Sequence, residues 1–239
     1  MGRYRFLDRR HAGGELAGFL GVWRSEAPLV IGLPRGGVPV AAEISLALGA
    51  EMDVVVVRKL GFPNHPETAM AALASAAGTT ELVRNPDLMV ELEKLKDGRR
   101  LFEETLARET IEMARREKEY RGRRPPLAVS GRTVIVVDDG LATGATMRAA
   151  VAALRKLGPR RIIAAVPVGA PMAVRQVQKL ADDVVCPWQP ERFRAVGAEY
   201  EHFGQTGDEE VRSLLAGPAA GESCTAEEEG RHEGGGRYA

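Results

Sequence analysis

The sequence predicts an α/β fold in which a parallel sheet is covered by helices on both faces. Short, fully apolar runs alternate with amphipathic stretches along the 239-residue chain. Strands that are buried on both faces are apolar throughout, which is typical of a parallel sheet between helices. Gly158 and Pro159 follow one amphipathic stretch in the order that ends a helix. We therefore expect a ligand site at the carboxyl ends of the strands, where such sheets bind ligands.

The elements of this fold are located by local patterns. Buried strands are predicted where short apolar runs are rich in β-branched residues, and helices where apolar residues recur at helical spacing. The predicted strands span residues 29–33, 52–57, 133–137, 162–168 and 184–185. The predicted helices span residues 38–48, 145–157 and 173–180.

The core is predicted over residues 28–186, after an N-terminal helical segment at residues 1–27. A helical insertion at residues 87–124 interrupts the core, since this stretch is dense in charge and has a thin apolar stripe at helical spacing. We interpret the insertion as a long, mostly solvated helix that serves as a structural arm or as a homodimer contact. Residues 187–216 are the candidate for a small hood, and residues 217–239, rich in Gly, Ala and Glu, are predicted to be a disordered tail.

The overall composition excludes several classes of protein. The 33 basic residues equal the 33 acidic residues, so the net charge gives no reason to expect a nucleic acid or an anionic membrane as partner. Cys186 and Cys224 lie far apart without metal-ligand spacing, which favours a reducing compartment. The charged N-terminus has no signal-peptide pattern, and no apolar run approaches the ~18 residues of a membrane span. We expect a soluble, cytoplasmic protein.

The segment at residues 133–146 is the most informative motif, with the sequence TVIVVDDGLATGAT. Its strand ends in the adjacent carboxylates Asp138 and Asp139, and a loop of small residues leads into a helix. Such a loop allows successive N–H groups to converge on an anion, with the helix dipole adding positive charge. A sugar phosphate explains the carboxylates next to an anion site, because ribose hydroxyls would donate to them. The alternative is that the acids cap the helix and the glycines only form a turn.

This block resembles the signature of type I phosphoribosyltransferases, which bind 5-phosphoribosyl-1-pyrophosphate (PRPP). The signature has four apolar residues, two acids and a loop that ends in Thr-Gly-x-Thr. The resemblance implies a type I phosphoribosyltransferase core, transfer of the phosphoribosyl group with release of pyrophosphate, and Mg²⁺ bound with PRPP. It implies that Asp138 and Asp139 face the ribose hydroxyls and contact Mg²⁺ through water, if at all. The 5-phosphate would be held by Ala142, Thr143, Gly144, Ala145 and Thr146.

Two further elements match the pyrophosphate-binding residues that the resemblance implies. Residues 32–39 join a strand to a helix, and Arg35, Gly36 and Gly37 correspond to the family's pyrophosphate loop, which often contains a cis peptide. Arg58 and Lys59 stand at the carboxyl end of the next predicted strand, directly after residue 57, where the family has a basic pair. Residues 60–68 contain Gly, Asn and two Pro, a composition that predicts a flexible loop. Taken alone, each of these runs is also typical of an ordinary turn or exposed surface.

The acceptor is not fixed by the motifs. Relatives that act on 6-oxopurines carry an acid directly before the Thr-Gly, and here that position is Ala142, which argues against hypoxanthine, guanine and xanthine. The hood candidate contains Trp188, Phe193 and Tyr200, whose rings are candidates for stacking on a nitrogenous base. Packing at the edge of the core is an equally good interpretation of these aromatic residues.

Three functions remain open at this stage. The first is a phosphoribosyltransferase that acts on a small-molecule acceptor, for which no catalytic base is identified. The second is a regulatory protein that binds PRPP without catalysis. The third, a nucleotide-binding module of another α/β family, is weaker because the GxGxxG and P-loop patterns are both absent.

Overall fold

The computed structural model of the chain describes residues 5–76, 79–125 and 128–216, except for the side chains of residues 66, 67 and 79. The segment predicted to be a disordered tail, residues 217–239, lies outside the described residues. No helix in the described ranges is both long enough and apolar enough to span a bilayer.

The described residues form eight strands and seven α-helices. The strands are β1 (Leu29–Gly32), β2 (Glu51–Val54), β3 (Val56–Phe62), β4 (His65–Ala76), β5 (Thr79–Arg84), β6 (Thr133–Val137), β7 (Arg161–Ala165) and β8 (Asp183–Val185). The helices are α1 (Arg9–Leu20), α2 (Gly37–Leu48), α3 (Pro86–Glu93), α4 (Gly98–Arg121), α5 (Ala145–Arg155), α6 (Pro171–Val177) and α7 (Asp208–Ala216).

The predicted parallel sheet is confirmed, with strand order β2-β1-β6-β7-β8. Its two faces are buried by different helices. Ile31 and Val136 pack in one cluster with residues of α5 and α6, whereas Val30 and Ile135 pack in another with residues of α1 and α2. Because successive strand residues point to opposite faces, a strand between two helical layers must be apolar at every position. This is the reason that the apolar runs predicted the sheet correctly.

A second sheet of three antiparallel strands, in the order β3-β4-β5, was not predicted. The strand predicted at residues 52–57 is divided between the two sheets, ending in β2 and restarting in β3. The prediction of a flexible loop at residues 60–68 is wrong, because most of this segment belongs to a hairpin whose turn lies between Phe62 and His65. Only the turn itself, at Pro63 and Asn64, has the expected structure, with Asn64 at φ +62°.

The central strand β4 is rich in alanine and buried on both faces. Ala72 and Ala74 pack toward the cluster that contains α5, and Ala71 and Leu73 pack toward the cluster that contains α4. Small side chains allow helices to approach the strand closely from both sides. Alanine has a low β-propensity, so tertiary packing rather than local preference sets this strand.

The helical insertion consists of two helices, α3 and α4, rather than one. Phe102, Met113 and Tyr120 of α4 are buried against the small sheet and α7, so the helix is more closely packed than the predicted solvated arm. Its outer face carries i,i+4 ion pairs such as Arg100 with Glu104, as expected for exposed helix positions.

The N-terminal segment pairs with the hood near the edge of the core. Asp8 caps α1 by accepting a hydrogen bond of 2.8 Å from the N–H of His11. The N–H of Phe6 donates to the carbonyl of Glu199, and the N–H of Glu201 donates to the carbonyl of Phe6. The start of α1 is thereby held beside residues 199–204.

Candidate functional site

Two loops that are far apart in sequence meet at the carboxyl edge of the parallel sheet. β1 and β6 are parallel neighbours, with Gly32 paired to Val137. The loop after β1, residues 33–36, therefore starts beside the loop after β6, residues 138–144. The chain leaves β1 for β2 on one side and β6 for β7 on the other, so the crevice between β1 and β6 is a topological switch point. Open α/β sheets bind ligands at such points.

Gly36 and Gly37 allow these two loops to touch. A Cβ at Gly36 would lie 2.0 Å from Oδ2 of Asp139, and a Cβ at Gly37 would lie 2.8 Å from Cα of Asp138. Gly36 has ordinary helical angles, φ −62° and ψ −33°. Glycine is required here by the close approach of the two loops, not by an unusual backbone conformation.

The side chains of Asp138 and Asp139, termed the acidic dyad, lie largely buried at this junction. Burial, and next the charge of Asp139, raise the pKa of Asp138 well above its ordinary value. Burial also raises the pKa of Asp139, although the ion pair with Arg9 opposes this rise. Two buried carboxylates are costly when ionised. Such a cost is expected where a ligand supplies the missing donors and cations.

The loop before α5 combines small residues with a helix N-terminus. Gly144 has φ +71°, in the left-handed region that favours glycine. Within the described ranges, the N–H groups of Ala142, Thr143 and Gly144 donate to no backbone carbonyl. Free N–H groups and the positive end of the helix dipole favour an anion at this position. Together with Ala145 and Thr146, these residues form a cradle suited to a phosphate group.

The acidic dyad and the phosphate cradle line one open cleft of about 880 Å³. The other walls come from β3, the start of α3, α5 and α6, and include Lys59, Asn85, Asp87, Arg148 and Gln176. Nε of Arg148 is buried and has no hydrogen-bond partner among the described residues. A buried donor without a partner is costly, so this guanidinium is suited to an anionic ligand in the cleft.

The basic pair predicted at the end of the second strand is divided between two surfaces. Arg58 and Lys59 are successive residues of β3 and therefore point to opposite faces. Arg58 forms an ion pair of 2.6 Å with Glu109 of α4, whereas Lys59 lines the cleft. The structure thus brings Lys59 to the site and places Arg58 on the far side of the strand.

Arg35 lies in the loop after β1, next to the cleft but not among the residues that line it. The peptide bond between Pro34 and Arg35 is cis, a feature that the resemblance implies for the pyrophosphate loop. The guanidinium lies 3.8 Å from a carboxylate oxygen of Asp208 at the start of α7. Because 29% of the Arg35 side chain is exposed, it remains accessible to an anion.

The three aromatic acceptor candidates pack together instead of lining the cleft. Trp188, Phe193 and Tyr200 belong to a small cluster with Phe6. Tyr200 is only 3% exposed, and its hydroxyl donates to the backbone carbonyl of Asp139 at 2.6 Å. Tyr200 thereby supports the acidic dyad from behind. A role for these rings in binding the acceptor stays a prediction.

The acidic dyad offers carboxylate oxygens, the ligand type that Mg²⁺ prefers. No group of three or more His, Cys, Asp or Glu side chains suited to a metal occurs in the described ranges. Mg²⁺ is commonly held by one or two carboxylates together with waters and substrate phosphate oxygens. Asp138 and Asp139, with or without bridging water, fit an ion that enters with a phosphorylated ligand.

Sequence reasoning missed Arg9, Arg148 and the start of α3. Asp8 marked the beginning of α1, but no local pattern shows that this helix begins beside the acidic dyad. Arg148 lies one helical turn after Gly144, a spacing that could have singled it out. The residues at the start of α3 become a wall of the cleft only through the unpredicted second sheet.

A family model matches most of the chain. The family described as "Phosphoribosyl transferase domain" matches residues 15–200. The "Putative phosphoribosyl transferase Rv0571c" of Mycobacterium tuberculosis H37Rv is 39% identical over 213 residues, which cover 88% of this chain and 46% of that protein. The chain thus spans about half the length of this curated relative.

Similar proteins also include a solved structure. The crystal structure of TT1426 from Thermus thermophilus is 45% identical with a TM-score of 0.72, covering 90% of this chain and 98% of that chain. The "Bifunctional protein PyrR" of Chloroflexus aurantiacus is 35% identical over 135 residues, which cover 55% of this chain and 65% of that protein.

Proposed function

The chain belongs to the family of phosphoribosyl transferase domains, and from this premise we propose that it transfers the 5-phosphoribosyl group of PRPP to a nitrogenous base. The observation that carries the proposal is the convergence of three elements on one crevice: the acidic dyad, the phosphate cradle and the glycine-containing loop after β1. PRPP has three parts in the matching order, namely a 5-phosphate, a ribose with two free hydroxyls and a pyrophosphate.

Each element has one task in this assignment. The cradle at residues 142–146 binds the 5-phosphate through N–H groups and threonine hydroxyls. Asp138 and Asp139 accept hydrogen bonds from the ribose hydroxyls. The loop that contains Arg35, together with Lys59, holds the pyrophosphate by charge-assisted hydrogen bonds.

The reaction breaks the bond between ribose C1 and the pyrophosphate oxygen, and the electron pair leaves with pyrophosphate. A nitrogen of the acceptor forms the new bond to C1 and loses its proton to solvent. The protein contributes positioning and electrostatic stabilisation of the charges that develop. Mg²⁺, when bound with PRPP, neutralises charge on the departing pyrophosphate.

The acceptor side is constrained by one residue of the cradle. Ala142 is exposed in the cleft and has no carboxylate to offer to a base. Asn85 and Asp87, at the start of α3, are polar residues that line the same cleft. A base with donor groups, other than a 6-oxopurine, suits this arrangement.

A second candidate function is regulation by PRPP without transfer. One observation favours it: Trp188, Phe193 and Tyr200 do not line the cleft. A sensor needs affinity for PRPP but no surface for an acceptor.

One experiment separates the two functions. Bases and small amines are screened for pyrophosphate release that depends on both PRPP and Mg²⁺, while calorimetry measures PRPP binding. An enzyme releases pyrophosphate with at least one acceptor. Tight PRPP binding without pyrophosphate release for any acceptor would favour the sensor function over the transferase function. Absence of PRPP binding would reject both functions.

A matched control compares the dyad with a second pair of adjacent carboxylates. Asp138→Ala with Asp139→Ala should abolish measurable PRPP binding, since each lost hydrogen bond to a charged group costs about 1.5–3 kcal/mol. Asp182→Ala with Asp183→Ala removes an exposed pair at the start of β8, at the opposite edge of the sheet. The second variant should bind PRPP as the wild type does.

A further inference from the structure

Arg9 lies at the start of the N-terminal helix and contacts the acidic dyad. No motif of the sequence assigns Arg9 to the site. Its Nε lies 2.8 Å from Oδ2 of Asp139, and only 13% of the Arg9 side chain is exposed. Its NH1 donates to the carbonyl of Gly204 at 2.6 Å. Its guanidinium lies over the ring of Phe203, 3.9 Å from the centroid. Three contacts thus fix the orientation of this guanidinium.

These contacts also fix the carboxylate of Asp139. Oδ2 accepts the hydrogen bond from Arg9 and lies 2.0 Å from the position that a Cβ at Gly36 would take, so it faces the loop after β1. An ionised carboxylate has two oxygens with about four acceptor sites in total. Oδ1 therefore keeps its capacity to accept a hydrogen bond from a ligand.

Arg9 also offsets the repulsion within the dyad. Asp138 and Asp139 are adjacent acids, and the positive charges that oppose their raised pKa values come from Arg9 and Lys59. Lys59 is exposed and belongs to the cleft, where a ligand would engage it. Arg9 is the cation held in place by protein contacts before any ligand arrives.

We infer that Arg9 is a positioning residue of the ribose site, which orients Asp139 so that its free oxygen receives a ribose hydroxyl. The inference rests on the proposed function, because it assigns the acidic dyad to ribose. In this arrangement the N-terminal helix and the hood, through Phe203 and Gly204, act on ligand binding without touching the ligand.

The test compares three ligands, each measured by calorimetry in the presence of Mg²⁺: PRPP, ribose 5-phosphate and pyrophosphate. Arg9→Ala should lower the affinities for PRPP and ribose 5-phosphate by about tenfold or more, the usual effect of a lost hydrogen bond to a charged group. Pyrophosphate affinity should stay within about twofold. A purely structural role would lower all three affinities together with the melting temperature.

Two milder variants keep the test decisive if Arg9→Ala does not fold. Arg9→Gln keeps a donor for Gly204 without the charge, and should show the same loss for ribose 5-phosphate. Arg9→Lys restores the charge without the fork of donors and should recover part of the affinity. Arg10→Gln is the control, because Arg10 is the next residue of α1 and pairs with Glu43 on the surface. It should leave all three affinities unchanged.

Two results would overturn the inference alone. One is a folded Arg9→Gln protein that binds ribose 5-phosphate as the wild type does. The other is a loss of pyrophosphate affinity as large as the loss for ribose 5-phosphate, which would make Arg9 a pyrophosphate ligand instead. A wild-type protein that binds neither PRPP nor ribose 5-phosphate would overturn both the inference and the proposed function.

Discussion

The hydroxyl of Tyr200 donates a hydrogen bond of 2.6 Å to the backbone carbonyl of Asp139. Burial is the main reason that the pKa of this hydroxyl is raised, so the proton that makes the bond is held at all ordinary pH values. The bond links the hood to the strand end that carries the acidic dyad.

Tyr200→Phe should therefore weaken ribose 5-phosphate binding several-fold and lower stability by about 1–2 kcal/mol, because a buried carbonyl loses its partner. Calorimetry and thermal unfolding measure the two effects. Tyr120→Phe is the control: it removes a hydroxyl that donates to Asp208 at 2.5 Å, a residue that pairs with Arg35 and not with the dyad. Equal ribose 5-phosphate affinities in the two variants would contradict a role for Tyr200 in the site.

Gly36→Ala should abolish PRPP binding. The added Cβ would meet Oδ2 of Asp139 at 2.0 Å, so the carboxylate must leave its position beside Arg9. Gly14→Ala is the matched control, since a Cβ at this helix position meets nothing within 4 Å. The control should keep full affinity and gain about 0.5–1 kcal/mol of stability, because alanine favours helix. Unchanged affinity in Gly36→Ala would show that the two loops separate freely.

Asp138→Asn should stabilise the free protein at neutral pH while it removes PRPP binding. Burial raises the pKa of Asp138 above its ordinary value of 3.8, so the ionised form is disfavoured in the folded state. This cost is absent below the unfolded-state pKa, grows as pH rises from there to the folded-state pKa, and is fully present above it. Asparagine removes the charge and keeps the acceptor for the N–H of Asp139, a bond of 2.9 Å.

The gain in stability from Asp138→Asn should be present near neutral pH, because burial makes the ionised form of Asp138 costly in the folded protein. It should shrink toward zero near about pH 4. Thermal unfolding across this range measures it. A gain that is equal at both ends, or a loss at neutral pH, would contradict the charge-based explanation.

Arg35→Ala should weaken the binding of pyrophosphate more than the binding of ribose 5-phosphate. Arg35 lies in the loop after β1, and its contact with Asp208 at 3.8 Å is long and partly exposed, so the guanidinium is available to a ligand. Competition binding with both compounds measures the difference. An equal loss for the two ligands would assign Arg35 to the stability of the loop.

Substitutions of Lys59 and Arg58 should differ in their effect on PRPP affinity, although the two residues are neighbours in sequence. Lys59→Met should weaken PRPP binding, because Lys59 lines the cleft. Arg58→Met should leave PRPP affinity unchanged and lower stability, because the buried Glu109 loses two hydrogen bonds from Arg58 and keeps only its contact with Arg108. The opposite ranking of PRPP affinities would mean that β3 shifts when the ligand binds.

The sequence alone determined the parallel sheet and the segments that carry the dyad, the cradle and the glycine loop. These are local features: an apolar strand buried on both faces, two acids at its end, and small residues ahead of a helix. Each is encoded within about a dozen consecutive residues, and the periodicity and turn rules apply over that range.

Only the tertiary structure decided which distant residues complete the site. Arg9 and Tyr200 are brought to Asp139 by the pairing of the N-terminal segment with the hood, and no local pattern encodes that pairing. The alanines of β4 favour helix locally and form a strand because helices pack on both of its faces. Arg58 and Lys59 point to opposite faces because they are successive residues of β3, a strand that the sequence did not predict beyond residue 57. Long-range packing fixes these positions because the contacts that stabilise them join residues 51 to 130 positions apart in the sequence, as in Arg58 with Glu109 and Arg9 with Asp139.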